Sequence, residues 1–120
     1  MKILLIDDSP MQQKIARIYI EKGEGHQLLT ANNGEEGIQT AKEELPVLIL
    51  LDVDMPKMNG METLKALKGG ETTKDIPVIM CTGNEDEELK KQLLDNGAVS
   101  YIKKPHGFST LKNMIKNILE

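Results

Sequence analysis

Short apolar segments alternate along this chain with longer segments in which apolar residues recur at helical spacing. The short segments predict strands at residues 3–6, 27–31, 47–51, 76–81 and 99–102. Each is followed by a segment whose pattern is typical of an amphipathic helix. Because most of the predicted strands are apolar throughout and do not alternate, they favour a parallel sheet that is covered on both faces.

Capping residues indicate where several helices begin. Ser9 followed by Pro10 predicts the start of the first helix, and Asn59 and Asn84 are the N-cap candidates of the third and fourth. The apolar faces predicted for the first two helices are Met11, Ile15, Ile18 and Tyr19, then Ile38, Ala41 and Leu45. A strand followed by a helix, five times over with short links, predicts an α/β fold with a doubly wound parallel sheet in one domain, residues 1–120.

Composition removes several classes of function. The formal net charge is −4, and two tyrosines and one phenylalanine are the only aromatic residues, so neither a basic stripe nor stacking platforms for nucleic acid are expected. Every apolar run is far shorter than the roughly 18 residues of a membrane helix. The start of the chain does not resemble a signal peptide, and Cys81 has no second cysteine to pair with. We therefore expect a cytoplasmic protein without a disulfide.

Polar residues follow four of the predicted strands where each strand ends. They are Asp7 and Asp8, then Asp52 with Asp54 beyond it, then Thr82, and finally Lys104. Taken singly, each is more readily explained as a cap, turn or incidental residue than as a functional one. Because right-handed crossovers place all these strand ends at one sheet edge, we expect the side chains to converge. Several crowded carboxylates need a compensating charge, and oxygen ligands without cysteine or a nearby histidine suit Mg²⁺.

This set of groups predicts a phosphoryl acceptor site. The Asp52 carboxylate can attack phosphorus to form an acyl phosphate. A divalent cation and the Lys104 ammonium can offset charge on the transferred oxygens, to which the Thr82 hydroxyl can donate a hydrogen bond.

The chain resembles a CheY-like receiver domain of two-component response regulators over essentially its whole length. The resemblance lies in residues 6–9, 51–60, 78–83, 96–98 and 101–105, and the segment around Asp52 is the most specific. It implies a flavodoxin-like fold with strand order 2-1-3-4-5. It also implies a stand-alone regulator, since the chain ends at the fifth helix, and we expect the signal to leave through a protein contact without direct binding to DNA.

The resemblance implies a role for each acid at the sheet edge. Asp52 would receive a phosphoryl group from a sensor histidine kinase or a phosphotransfer protein. Mg²⁺ would be bound by Asp8, by Asp52 and by the backbone carbonyl of Asp54, with Asp7 acting through water. The Asp54 carboxylate is a departure that can influence the lifetime of the acyl phosphate, in a direction the sequence does not give.

The resemblance also implies how the signal is read out. Thr82, Gly83 and Lys104 would contact the phosphoryl group. Thr82 and Tyr101 would form a switch, in which Thr82 moves toward the phosphate and the ring turns inward behind it. The face formed by the fourth helix, fifth strand and fifth helix would then change its preference for a downstream partner. His106 departs from the family pattern, so the resemblance does not predict the part of that face at the start of the fifth helix.

Three other functions compete with this interpretation. Asp52 and Asp54 also resemble the nucleophile and general acid of haloacid-dehalogenase-like phosphatases. A flavodoxin-like flavin binder and a receiver that only acts as a scaffold are the others. We expect no enzyme beyond self-phosphorylation from small donors and slow self-dephosphorylation, and a monomer or a weak phosphorylation-dependent dimer. A motor switch, a relay protein and a kinase all remain open as partners.

Overall fold

The predicted strands form one parallel sheet in the order β2-β1-β3-β4-β5. Described here, from a computed structural model, are residues 1–22, 25–55, 58–83, 86–103 and 111–119. The strands are β1 (Lys2–Ile6), β2 (Gln27–Ala31), β3 (Leu48–Asp52), β4 (Val78–Thr82) and β5 (Ser100–Lys103). The order matches the flavodoxin-like topology that the resemblance implied, and it places β3 at the centre of the sheet.

Helices follow each strand, and most begin at the expected caps. They are α1 (Pro10–Glu21), α2 (Gly34–Glu44), α3 (Gly60–Gly69), α4 (Glu87–Asp95) and α5 (Leu111–Leu119). Ser9 and Asn59 are N-caps as predicted, whereas α4 is capped by Asp86, whose carboxylate accepts from two backbone N–H groups. Asn84, the predicted cap of this helix, lies outside the described residues. Among the helices described, none has the length and apolar composition that crossing a bilayer requires.

The sheet separates two apolar cores, because alternate residues of each strand point to opposite faces. Leu4, Ile6, Ile49 and Leu51 belong to the core under α2, α3 and α4, whereas Ile3, Leu5, Leu48 and Leu50 belong to the core under α1 and α5. All eight of these side chains are completely buried. The fold is therefore doubly wound, as predicted.

The apolar face predicted for α1 is confirmed at Ile15, which packs against the core under α1 and α5, and is wrong at its other three positions. Met11, Ile18 and Tyr19 are 69%, 55% and 47% exposed, and the helix instead buries Ala16 and Ile20. Both stripes fit helical spacing, but the small Ala16 side chain lets the helix backbone lie close to the sheet.

Leu45 is also exposed, contrary to the prediction for α2. It lies at the C-cap in the left-handed conformation, with φ at 47°, beyond the last turn that faces the core. The other two predicted residues are confirmed, because Ala41 is buried and Ile38 packs against the core. Gly34 and Gly37 are buried as well, and Gly37 lies directly against the side chain of Ile6.

Candidate functional site

The register of the three central strands brings the predicted acids to one edge of the sheet. Ile6 pairs with Leu51, so Asp7 and Asp8 follow β1 beside the point where Asp52 ends β3. Asp52 in turn pairs with Cys81, and Thr82 is the next residue of β4. The convergence predicted from the crossover rule is confirmed for these four polar residues.

Asp7, Asp8 and Asp52 form an acidic cluster. One carboxylate oxygen from each lies within 4.8 Å of the others. Asp7 is completely buried and Asp52 is 2% exposed, whereas Asp8 is exposed to solvent. Carboxylates at this spacing repel one another, and a cation among them would offset that repulsion.

The buried carboxylate of Asp7 is held in place by the turn into α1. Its Oδ1 accepts a hydrogen bond of 2.9 Å from the Ser9 backbone N–H, and its own backbone N–H donates to the Ala31 carbonyl at 3.0 Å. The Asp7 carbonyl accepts from Nε2 of Gln13 at 2.7 Å, and the same amide donates to Oδ1 of Asn32 at 2.9 Å. The end of β1 is thus tied to α1 and to the loop after β2.

Asp52 is held by the loop that follows it. Its Oδ1 accepts from the backbone N–H of Asp54 at 3.2 Å. The N–H of Val53 donates to the Cys81 carbonyl, and the N–H of Gly60 donates to the Val53 carbonyl, both at 3.0 Å. These bonds fix the backbone that follows the acceptor candidate.

Gly60 allows the start of α3 to lie directly against the backbone of Asp52. A Cβ at position 60 would be 2.5 Å from the Asp52 carbonyl oxygen and 2.6 Å from the Val53 Cα. Both neighbours are backbone atoms, which cannot rotate away as a side chain can. Asn59 and Glu62 form a complete capping box around this helix start, so the close approach is locally stabilised.

The groups predicted to bind a phosphoryl group are described only in part. Thr82 is 1% exposed at the end of β4, and Gly83 follows it at the surface. Among the described residues, a Cβ added at Gly83 would meet no heavy atom within 4 Å. Lys104 and His106 lie outside the described residues, so their predicted positions stay predictions.

Tyr101 lies on β5 on the same side of the sheet as Thr82. It pairs with Met80, and Met80 and Thr82 are two residues apart on β4 and so point to the same face. The ring is partly buried against the core under α2, α3 and α4. The two residues of the predicted switch are therefore diagonal neighbours on adjacent strands.

The acidic cluster fits the Mg²⁺ that the sequence predicts. Its ligand atoms are carboxylate oxygens, the hard donors that this cation prefers over nitrogen or sulfur. The cation usually keeps several waters and takes only one or two carboxylates directly. The division into direct ligands and a ligand that acts through water stays a prediction.

Sequence reasoning missed two residues near this edge. Gln13 bonds the Asp7 carbonyl through its amide, but a half-buried glutamine on a helix gives no signal in the sequence. Lys90 on α4 places its Nζ 4.6 Å from the centre of the Tyr101 ring. The two residues are eleven positions apart in the sequence. A lysine in a helix with many charged residues is usually interpreted as exposed to solvent.

Comparison with known proteins identifies one family. The model of the response regulator receiver domain matches residues 3–116. Protein PilH of Pseudomonas aeruginosa is 36% identical over 118 residues, which cover 98% of this chain and 97% of PilH. The probable C4-dicarboxylate response regulator DctR of Bacillus subtilis is 38% identical over 116 residues, or 96% of this chain and 50% of DctR. The chain thus spans about half the length of DctR and of its two counterparts from other bacteria.

Solved structures agree with this match. The chemotaxis protein CheY4 of Vibrio cholerae superimposes with a TM-score of 0.88 at 28% identity, over 98% of this chain and 97% of that one. A response regulator structure from Chloroflexus aurantiacus superimposes with a TM-score of 0.89 at 29% identity, over 98% of this chain and 96% of that one. Both similarities extend across the sheet and its helices.

Proposed function

We propose that this chain, which belongs to the response regulator receiver domain family of two-component systems, accepts a phosphoryl group on Asp52. The observation that carries the proposal is the cluster of Asp7, Asp8 and Asp52, with one oxygen of each within 4.8 Å at the carboxyl ends of β1 and β3. In open α/β sheets this end of the strands is where ligands bind.

The transfer is a substitution at phosphorus. An oxygen of the Asp52 carboxylate forms a bond to the phosphorus of a phosphohistidine on a kinase or phosphotransfer protein. The bond from phosphorus to the imidazole nitrogen breaks, its electron pair stays on the nitrogen, and the imidazole gains a proton. The product is an acyl phosphate on Asp52 and a free histidine on the donor.

The chain's own residues orient the acceptor and hold the product. The Asp54 N–H fixes one oxygen of Asp52, and the rigid start of α3 holds the backbone behind it. Thr82 can donate its hydroxyl hydrogen to a phosphoryl oxygen, and Lys104 can pair with another. Bound Mg²⁺ supplies charge neutralisation at the transferred oxygens, and Asp8, Asp52 and the Asp54 carbonyl would hold it.

Phosphorylation then acts as a shift between two conformations. A phosphoryl group adds roughly 1.5 to 2 negative charges, which favours the conformation that brings Thr82 and Lys104 closest. Thr82 and Tyr101 are neighbours on one face of the sheet, so a movement of Thr82 changes the packing of the ring. The surface of α4, β5 and α5 would transmit that change to a partner protein.

The test is mass spectrometry of the intact chain after incubation with acetyl phosphate and Mg²⁺. We expect one phosphoryl adduct, absent in Asp52→Asn and absent when the metal is chelated. Asp54→Asn is the matched control, because it removes a carboxylate two residues away and should still be labelled. Labelling of Asp52→Asn to the wild-type extent would refute the assignment, and repeated turnover of a phosphomonoester would favour the phosphatase interpretation.

A further inference from the structure

The side chain of Lys90 is buried against an aromatic ring. Its Nζ lies 4.6 Å from the centre of the Tyr101 ring, within the range of a cation–π contact. Although lysine is usually among the most exposed residues, this side chain is only 14% exposed. The contact joins the middle of α4 to β5, the strand at the edge of the sheet.

The ion pair that Lys90 also makes does not account for this burial. Glu87 Oε1 lies 3.5 Å from Lys90 Nζ, but the Glu87 side chain is 85% exposed. An exposed pair of this kind contributes little and weakens further as salt is added. Of the two Lys90 partners in the part of the chain that the structure describes, the Tyr101 ring is the one that packs against the core.

The Tyr101 ring lies between Thr82, which would contact the phosphoryl group, and α4. Tyr101 pairs with Met80, which is two residues before Thr82 on β4 and points to the same face. The core on this face also contains Leu93 of α4 and the partly buried Tyr101. A change in the orientation of the ring therefore changes the packing between Thr82 and α4.

We propose that Lys90 is a positioning residue, whose charged amine holds the Tyr101 ring against α4 and so sets the balance between its orientations. The regulatory part of this proposal rests on the proposed function, since it assigns to Lys90 a bias on the response to phosphorylation of Asp52. A cation–π contact that is partly shielded from water shifts such a balance by a factor of about 2 to 30.

The first experiment measures the ring in the full chain without any phosphoryl donor. Three-bond couplings and chemical shifts in nuclear magnetic resonance report the orientations of Tyr101, and shielding of the Lys90 ε-methylene protons reports the ring contact. We expect the orientation ratio to change about 2- to 30-fold in Lys90→Met, which keeps the stem and removes the charge. Lys90→Arg should keep the wild-type ratio.

Lys91→Met is the matched control, because Lys91 is the neighbouring exposed lysine of the same helix. It should leave the Tyr101 signals unchanged. In Tyr101→Leu, the Lys90 ε-methylene protons should lose their shielding, and in the wild type that shielding should persist at high salt. An unchanged ratio in Lys90→Met, or an equal change in Lys91→Met, would overturn the proposal.

The second experiment tests the link to the site. Beryllium fluoride with Mg²⁺ serves as a phosphoryl analogue that binds at equilibrium. The analogue concentration at half-saturation should shift in Lys90→Met in proportion to the population of the ring orientation that the analogue favours. Equal midpoints despite a changed ring ratio would overturn the regulatory part alone. Failure of the analogue to bind the wild type would count against the proposed function and leave the result for Lys90 standing.

Discussion

Asp52 Oδ1 accepts a hydrogen bond of 3.2 Å from the backbone N–H of Asp54, two residues further along the chain. The donor is a backbone group, so any residue except proline at position 54 can supply it. The Asp54 side chain takes no part in this hydrogen bond, and it is exposed to solvent. Substitutions at position 54 can change the chemistry around Asp52 without changing the orientation of its carboxylate.

Removing one acid of the cluster should stabilise the fold without metal. Asp8→Asn relieves repulsion with Asp7 and Asp52, and we expect the free energy of unfolding to rise by about 1 kcal/mol when Mg²⁺ is absent. Added Mg²⁺ should stabilise the wild type and have much less effect on the variant. Urea unfolding with and without the metal measures both effects.

Glu71→Gln is the control for that prediction, because it removes an exposed acid from the loop after α3. Its stability should change little, and its response to Mg²⁺ should match the wild type. A response to the metal that is equally strong in Asp8→Asn would show that the cation binds elsewhere.

Substitution of Gly60 should affect stability and the acceptor site together. The added methyl group of Gly60→Ala would lie 2.5 Å from the Asp52 carbonyl oxygen, so α3 or β3 must shift. We expect a loss of about 1 to 3 kcal/mol in the free energy of unfolding and slower labelling by acetyl phosphate. Urea unfolding and mass spectrometry measure the two effects.

Gly69→Ala provides the opposite case at the other end of α3. In the part of the chain that the structure describes, no heavy atom lies within 4 Å of the added Cβ, so the variant should be more stable by about 0.4 to 1 kcal/mol. Labelling of Asp52 should proceed at the wild-type rate. If Gly60→Ala behaves like Gly69→Ala, the close approach of α3 to Asp52 is not a constraint.

The amide of Gln13 should strengthen metal binding without touching the metal. Gln13→Met keeps the length of the side chain but removes both donors to the Asp7 carbonyl and to Asn32. We expect Mg²⁺ to bind up to about tenfold more weakly, as measured by calorimetry. Lys14→Met, at the next and exposed position, should bind Mg²⁺ as the wild type does, and equal affinities in all three proteins would contradict the role of Gln13.

Acid should weaken the link between α1 and β2. The Leu28 N–H donates to Glu21 Oε2 at 3.0 Å and Arg17 donates to it at 3.1 Å, and these bonds lower the pKa of the Glu21 carboxyl. Because the folded state holds this group below its ordinary pKa, its contribution is complete above the unfolded value of 4.5 and is lost as pH falls through the lowered value.

Glu21→Gln isolates that contribution. The variant should be less stable than the wild type near neutral pH, and the difference in the free energy of unfolding should shrink as pH falls below about 4. Denaturant unfolding at a series of pH values measures the difference. A gap that is independent of pH would mean that the charge of Glu21 contributes nothing.

Much of the fold and the acidic cluster could be predicted because they depend on features that a sequence carries directly. Apolar runs such as residues 48–51 indicate strands that are buried on both faces. The handedness of the crossovers brings the carboxylates at the ends of these strands together. Ser9, Pro10 and Asn59 likewise mark helix starts through chemistry that acts within three residues.

Other features depend on packing between distant segments. Met11 and Ile18 form as good an apolar stripe as Ala16 and Ile20, and only the approach of α1 to the sheet chooses between them. The contact of Lys90 with Tyr101 requires α4 to lie beside β5 at one particular height. Neither the approach of α1 to the sheet nor the placement of α4 beside β5 can be predicted from the order of the residues.

Under the proposed function, the position of β3 at the centre of the sheet and of β5 at its edge separates the phosphorylation chemistry from the surface that contacts a partner. Residues on β1 and β3 are surrounded on every side, so inherited changes there disturb several neighbours at once. The margin formed by α4 and β5 has fewer neighbours and can accept substitutions singly. Over evolutionary time, descendants of such a domain can exchange one partner protein for another at α4 and β5 while the chemistry at the centre of the sheet stays the same.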